Sequence, residues 1–138
     1  MVTVLITGAG GAAGIGAIRS LSRTTDHELV GVDMDPEAAG LFMTDAAARV
    51  PPAAADDWVD AMEAVARRHA VDVVVPTVDE ELPRLPELRT ALPDMGIVAP
   101  RQEVIEIAGD KYRTSRMLRT AGHDVPRTWL GTATGEIP

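Results

Sequence analysis

Residues 3–14 of the chain read TVLITGAGGAAG, and this stretch decides the fold. Residues 3–7 are apolar and rich in β-branched side chains, which predicts a short buried strand. The glycines that follow lead into apolar positions with helical spacing, namely Ala12, Ile15, Ile18 and Leu21. We therefore predict a strand, a tight glycine turn and a helix that begins within the glycine-rich segment.

The rest of the chain continues this alternation of strands and helices. Further strands are predicted at residues 28–32, 47–50, 71–75 and 96–99. Helices are predicted after a cap at Asp56 or Asp57 (apolar face Trp58, Met62, Val65 and Ala66), in a Leu-rich segment interrupted by Pro83 and Pro86, and at residues 102–108 and 111–121. Such alternation implies right-handed βαβ units. We predict an α/β fold: a Rossmann-like three-layer α/β/α domain with a parallel sheet of four to five strands, order 3-2-1-4-5.

Composition excludes several classes of function. A chain of 138 residues is long enough for one domain with a substantial core. Its net charge of −8, without a basic stripe, argues against nucleic acid and against anionic membranes as partners. The absence of cysteine rules out disulfides and thiolate metal sites. The apolar start is too short to span a bilayer and lacks a basic signal-peptide region, so we expect a cytoplasmic protein.

The glycine turn is the first candidate site. Gly8, Gly10, Gly11 and Gly14 would permit a tight turn and let an anion approach the backbone, with Ala12 at the start of the helix. Asp33, at the end of the second strand, lies where a dinucleotide-binding acid would bond a ribose hydroxyl. The alternative is that these glycines only make a close strand-to-helix turn.

The glycine spacing also matches the short-chain dehydrogenase and epimerase family, which makes an NAD(P)-binding domain the alternative function. That chemistry uses a Tyr and a Lys four positions later on one helix. The only tyrosine here is Tyr112, and Arg116 occupies the matching position. The sequence therefore lacks the catalytic pair.

A second candidate site follows the strand at residues 71–75. Thr77, Asp79 and Glu80 lie in the loop after this strand, at the carboxyl end where open α/β sheets gather their ligands. Asp79 or Glu80 could equally be a helix cap or a first-turn acid. We predict that this loop and the Gly8–Gly14 turn lie side by side at one edge of the sheet.

Four segments in order indicate a family. They are ITGAGGAAG at 6–14, VDVVVPTVDEEL at 71–82, GDKYRTSRMLRTAG at 109–122 and VPRT at 125–128. Together they resemble the pre-ATP-grasp domain of ATP-grasp ligases, similar to the carbamoyl-phosphate synthase large subunit and biotin carboxylase. The resemblance covers nearly the whole chain.

The resemblance implies an ATP-dependent ligase that joins a small-molecule carboxylate to an amine or similar nucleophile, with ATP and Mg²⁺ used by the full-length protein. It implies that Lys111 reaches ATP phosphates. The alternative interpretation is that Lys111 is a solvated helix residue. From the turn chemistry and the strand-end positions, we predict that substrate or phosphate binds at Gly8, Gly10, Gly11, Ala12, Asp33, Thr77, Asp79 and Glu80. No catalytic residue or metal ligand is assigned, no cofactor is expected to bind tightly to this chain alone, and a homodimer is possible.

The end of the chain suggests a further domain. We expect residues 1–122 to form the pre-ATP-grasp domain, and residues 123–138 to be a linker or the start of a truncated ATP-grasp domain. Trp129 and Leu130 would then lack packing partners.

A non-catalytic binding module is the third possible function. His27, His69 and His123 are scattered without metal-ligand spacing.

Overall fold

The computed structural model describes residues 1–131, and the chain divides into two compact units, Met1–Ala99 and a second that begins at Pro100. The first unit contains β1 (Thr3–Ile6), α1 (Ala12–Thr24), β2 (Glu28–Asp33), β3 (Ala46–Arg49), α2 (Trp58–Arg68), β4 (Val73–Val75), α3 (Leu85–Ala91) and β5 (Gly96–Ile97). Two short 3-10 helices, Ala39–Met43 and Asp79–Arg84, precede β3 and α3 respectively.

The five strands form one parallel sheet in the order β3-β2-β1-β4-β5. β1 lies at its centre, with Val4 opposite Leu29 on one side and Val73 on the other. The predicted Rossmann-like fold, parallel sheet and strand order are confirmed. The order reverses direction between β1 and β4, so their carboxyl ends open a crevice at the sheet edge.

Aliphatic side chains fill the core, as the shortage of aromatic residues requires. The fully buried strand residues are Leu5, Ile6, Val30, Val32 and Val74. α2 contributes Trp58, Met62 and Ala66, which recur every four residues and therefore share one face of the helix. This face is the one predicted from the sequence, where Val65 proves only partly buried.

Several predicted boundaries shift by one or two residues. β4 begins at Val73 because the Val71 amide donates to the Ala66 carbonyl at the end of α2. β3 covers Ala46–Arg49, and β5 is only Gly96–Ile97. The predicted cap on α2 is wrong in part, since Asp57 occupies the N-cap position but its side chain makes no capping hydrogen bond.

The second unit contains α4 (Gln102–Ala108) and α5 (Lys111–Thr120). Asp110 caps α5, because its carboxylate accepts hydrogen bonds from the amides of Tyr112 and Arg113 at 2.9 and 3.0 Å. Trp129 and Leu130 are 43% and 52% exposed. The predicted domain boundary after residue 122 stays a prediction, and residues 132–138 of that segment lie outside the described residues.

No helix within residues 1–131 is long and apolar enough to cross a membrane.

Two glycines of α1 provide a test of the turn. A Cβ at Gly14 would lie 2.2 Å from the carbonyl oxygen of Gly8, whereas a Cβ at Gly16 would meet nothing within 4 Å. We expect Gly14→Ala to lower the free energy of unfolding by about 1–3 kcal/mol through overpacking. Gly16→Ala should raise it by about 0.5–1 kcal/mol through helix propensity. Urea unfolding of both variants checks this, and equal stabilities would contradict the close packing of α1 on the turn.

Candidate functional site at the carboxyl edge of the sheet

The glycine turn and the loop after β4 are in contact, as predicted. The Thr77 hydroxyl donates to the Thr7 carbonyl oxygen at 2.7 Å, directly after β1. Gly8 has φ +54°, and a Cβ there would lie 2.4 Å from Val78 Cγ2. Only glycine satisfies both the left-handed backbone and the close approach. The two loops therefore meet across the reversal point between β1 and β4.

Asp33 braces the glycine turn from β2. One carboxylate oxygen accepts from the Gly10 amide at 2.8 Å, and the other accepts from the Asp35 amide at 3.0 Å. The turn is fixed further by bonds from the Ala9 amide to the Val32 carbonyl and from the Gly11 amide to the Gly8 carbonyl. The amides of residues 9–11 thus have partners within the protein.

The next amides of the turn are open. Within residues 1–131, the N–H groups of Ala12 and Ala13 have no hydrogen-bond acceptor, as expected for the first turn of a helix. α1 has 13 residues, and its first turn contains no acidic side chain. Its aligned peptide dipoles place partial positive charge at these amides.

A cleft of about 600 Å³ opens between the glycine turn, the end of β2 and the loop after β4. Backbone and carboxylate groups from these segments line it: Gly8, Gly11, Ala12, Ala13, Asp33, Thr77, Glu80 and Glu81. The remaining wall is apolar and consists of Met34, Val50, Pro51, Pro52, Ala53, Ala54 and Val78. A volume of this size accommodates a small organic molecule.

Glu81 is a cleft residue that the sequence analysis did not single out as a site. It is only 5% exposed, although its neighbours Asp79 and Glu80 are exposed. The Thr7 hydroxyl donates to Glu81 Oε2 at 2.5 Å and also accepts from the Thr77 amide at 2.9 Å. Consecutive residues of a helical turn point in different directions, so the run of three acids could have suggested that one of them faces inward.

Burial changes the acidity of this carboxyl. Loss of hydration raises the pKa of Glu81 from 4.5 to about 7. The Thr7 hydrogen bond acts in the opposite direction, while the negative charges of Asp33 and Glu80 raise the pKa further. Glu81 therefore exchanges a proton near neutral pH, at the wall of the cleft.

The structure brings together most of the sequence-predicted site residues. Gly8, Gly11, Ala12, Asp33, Thr77 and Glu80 line the cleft. Gly10 does not, because its amide faces Asp33, and Asp79 is the exposed first residue of the 3-10 helix. Lys111 is the exposed first residue of α5, in the second unit, and has no ion pair within the described residues.

Metal ligands are not gathered anywhere in the part of the chain that the structure describes. No group of three or more His, Asp or Glu side chains within residues 1–131 could hold an ion.

The comparison with protein families decides the membership of this domain. Residues 4–99, which include the whole sheet and the cleft, match the family model described as PylC-like, N-terminal domain. The chain belongs to the PylC-like N-terminal domain family. No curated protein matches the chain in sequence.

Solved structures share the fold of this PylC-like domain. The biotin carboxylase domain of a single-chain bacterial carboxylase has a TM-score of 0.60 and 24% identity, over 88% of this chain and 29% of that chain. N5-carboxyaminoimidazole synthetase from Staphylococcus aureus, complexed with ADP, has a TM-score of 0.65 and 17% identity, over 88% and 30%. dTDP-glucose 4,6-dehydratase from Bacillus anthracis, in complex with NAD, has a TM-score of 0.54 and 15% identity, over 70% and 36%.

These likenesses concern the fold, and the chain spans about a third of the length of each solved protein. Together with the family match, they confirm the resemblance to a pre-ATP-grasp N-terminal domain similar to that of biotin carboxylase. The dehydrogenase alternative is not favoured, because the matching family is PylC-like.

The buried carboxyl makes the stability of this domain depend on pH. The folded state holds the Glu81 proton more tightly than the unfolded chain does. Its contribution to stability is fully present below pH 4.5 and is lost as the pH rises to about 7. The side chain of Glu81→Gln stays neutral. We therefore expect its free energy of unfolding to rise relative to that of the wild type by up to about 3 kcal/mol between pH 4.5 and pH 8.

Urea unfolding of both proteins at pH 4.5 and pH 8 measures this difference. Glu63→Gln is the control, because Glu63 lies on α2 in a partly exposed pair with Arg67 and should follow the wild type. Parallel pH dependences of the wild type and Glu81→Gln would contradict the raised pKa of Glu81.

Proposed function

We propose that this chain is the substrate-holding part of an ATP-dependent ligase of the ATP-grasp type. In the full-length protein, ATP and Mg²⁺ would activate a small-molecule carboxylate by phosphorylation, and an amine or similar nucleophile would displace the phosphate. Catalysis of this kind depends on positioning and on charge stabilisation. The observation that carries the proposal is the cleft, where the open amides of α1 face the loop after β4.

The cleft has the features that a carboxylate group needs. The open N–H groups of Ala12 and Ala13 can donate to its oxygens, and the positive end of the α1 dipole favours negative charge. Asp33 keeps the turn in this shape by holding the Gly10 amide. The apolar wall from Val50 to Ala54 would contact the rest of the substrate.

The NAD(P) alternative has less support in the same geometry. Asp33, the candidate ribose-binding acid, accepts a backbone amide on each carboxylate oxygen and so has a structural role in the turn. The Tyr and Lys pair of that chemistry is absent, since Arg116 lies four residues after Tyr112.

Lys111 is proposed as the contact of this chain with ATP phosphates. A lysine suits the task as a compact charge with three donors, and its exposure leaves the ammonium group accessible. A homodimer and a cytoplasmic location stay predictions.

The anion site in the cleft can be tested with acetate as a minimal carboxylate. We expect acetate to shift the backbone amide signals of Ala12 and Ala13 in ¹H–¹⁵N spectra of the chain, with saturation. Ala12→Asp should weaken acetate binding at least about tenfold, because the new carboxylate competes for the same amides. Ser20→Asp adds the same charge on an exposed position of α1 and should bind acetate like the wild type.

Equal acetate affinity in both variants would overturn the anion site. Micromolar binding of NADH, followed by nicotinamide fluorescence, would favour the NAD(P) alternative instead.

The ATP contact is tested in a longer protein that carries the ATP-grasp domain. A lysine bound to phosphate makes a charge-assisted hydrogen bond worth about 1.5–3 kcal/mol. Lys111→Ala should therefore weaken apparent ATP affinity roughly ten- to a hundredfold, with little change in stability. Arg116→Ala, another exposed cation of α5, is the matched control. ATP kinetics that are unchanged in Lys111→Ala would show that Lys111 is a solvated helix residue.

A further inference from the structure

Glu81 is a buried acid that the proposed function does not use. Glu81 lines the same cleft as the open amides of Ala12 and Ala13, although the residue is only 5% exposed. The one hydrogen bond found for it within residues 1–131 comes from the Thr7 hydroxyl to Oε2. An ionised carboxylate has room for about four such bonds. Its negative charge is thus poorly compensated.

Within residues 1–131, no positive side chain is paired with Glu81. The charged groups that face it are Asp33, at the end of β2, and Glu80, in its own 3-10 helix, and both are acidic. Arg84 lies in that helix too, but its guanidinium pairs with Glu87 and donates to the carbonyl oxygens of Ala53 and Ala55. No histidine is among the described residues that line the cleft.

We propose that Glu81 couples proton uptake to the occupation of the cleft by an anionic group, so that substrate binding weakens as the pH rises. The inference rests on the proposed function, since it concerns the regulation of the same anion site. A carboxylate at the α1 amides adds negative charge to a cleft that already contains three acids. The protonated form of Glu81 removes one of these charges and therefore binds an anion more tightly.

The direction of the effect follows from linkage. The proton that burial retains on Glu81 is half-dissociated at about pH 7 in the empty cleft. A bound anion raises the pKa of Glu81 further, and by reciprocity the proton raises the affinity for the anion. Acetate is almost completely ionised across this range, so it is a probe whose own charge hardly changes.

The experiment measures acetate affinity at pH 6 and pH 8, at constant ionic strength, from the amide shifts of Ala12 and Ala13. The wild type should bind acetate up to about tenfold more weakly at pH 8, because Glu81 is largely protonated at pH 6 and largely ionised at pH 8. Glu81→Gln keeps an oxygen that accepts from Thr7 but carries no charge. It should bind with equal affinity at both pH values, close to that of the wild type at pH 6. Glu63→Gln on α2 should retain the wild-type dependence.

A second measurement does not depend on a variant. The ¹³C signal of the Glu81 carboxyl in the wild type gives its titration directly, and saturating acetate should move its midpoint to higher pH. A midpoint that acetate leaves unchanged, or a wild-type affinity that is equal at both pH values, overturns the proton coupling alone. Acetate that binds at neither pH overturns the coupling together with the anion site.

Discussion

Thr7, the first residue after β1, makes hydrogen bonds that join the segments around the cleft. Its hydroxyl accepts from the Thr77 amide and donates to Glu81, while its carbonyl oxygen accepts from the Thr77 hydroxyl. The residue is 1% exposed, so each of these polar groups needs a partner inside the protein. A valine of similar shape would leave the Thr77 amide and the Glu81 carboxyl without their partner. The arrangement of the loop after β4 thus depends on one side chain at the end of the central strand.

The glycine turn is held by a different constraint, the closeness of backbone to backbone. Gly14 packs its Cα against the Gly8 carbonyl, where a Cβ would lie at 2.2 Å. This contact brings the first turn of α1 down to the end of β1, and the open amides of Ala12 and Ala13 therefore face the cleft. The close contact between Gly14 and Gly8 therefore both packs α1 on the turn and directs the amides of Ala12 and Ala13 into the cleft.

The cleft combines groups with opposite electrostatic preferences. The α1 amides favour an anion, whereas Asp33, Glu80 and Glu81 disfavour one. Asp33 is satisfied by two backbone amides and braces the turn, but Glu81 is buried with a single donor. Burial of a carboxyl lowers the stability of the folded state above neutral pH, a cost that is typical of residues placed for function. The domain keeps this acid where a ligand would lie.

The sequence by itself determined the sheet. The alternation of apolar strands with helical segments predicted its parallel strands and their order, because βαβ units have one hand and short connections. It also predicted that the Gly8 turn and the Thr77 loop would be neighbours, since both follow strands at the same edge. The start of α5 at Lys111 was predicted too, and Asp110 caps this helix through contacts between residues close in sequence.

Only the tertiary structure decided which polar groups are buried. Asp79, Glu80 and Glu81 are consecutive acids, and no local rule separates the exposed ones from the buried one. The separation comes from Thr7, 74 residues earlier in the chain, whose hydroxyl meets Glu81 across the sheet edge. Gly10 likewise appeared equivalent to its neighbours until Asp33 was seen to occupy its amide. Burial and pairing of this kind depend on contacts between distant segments, which periodicity and local spacing do not encode.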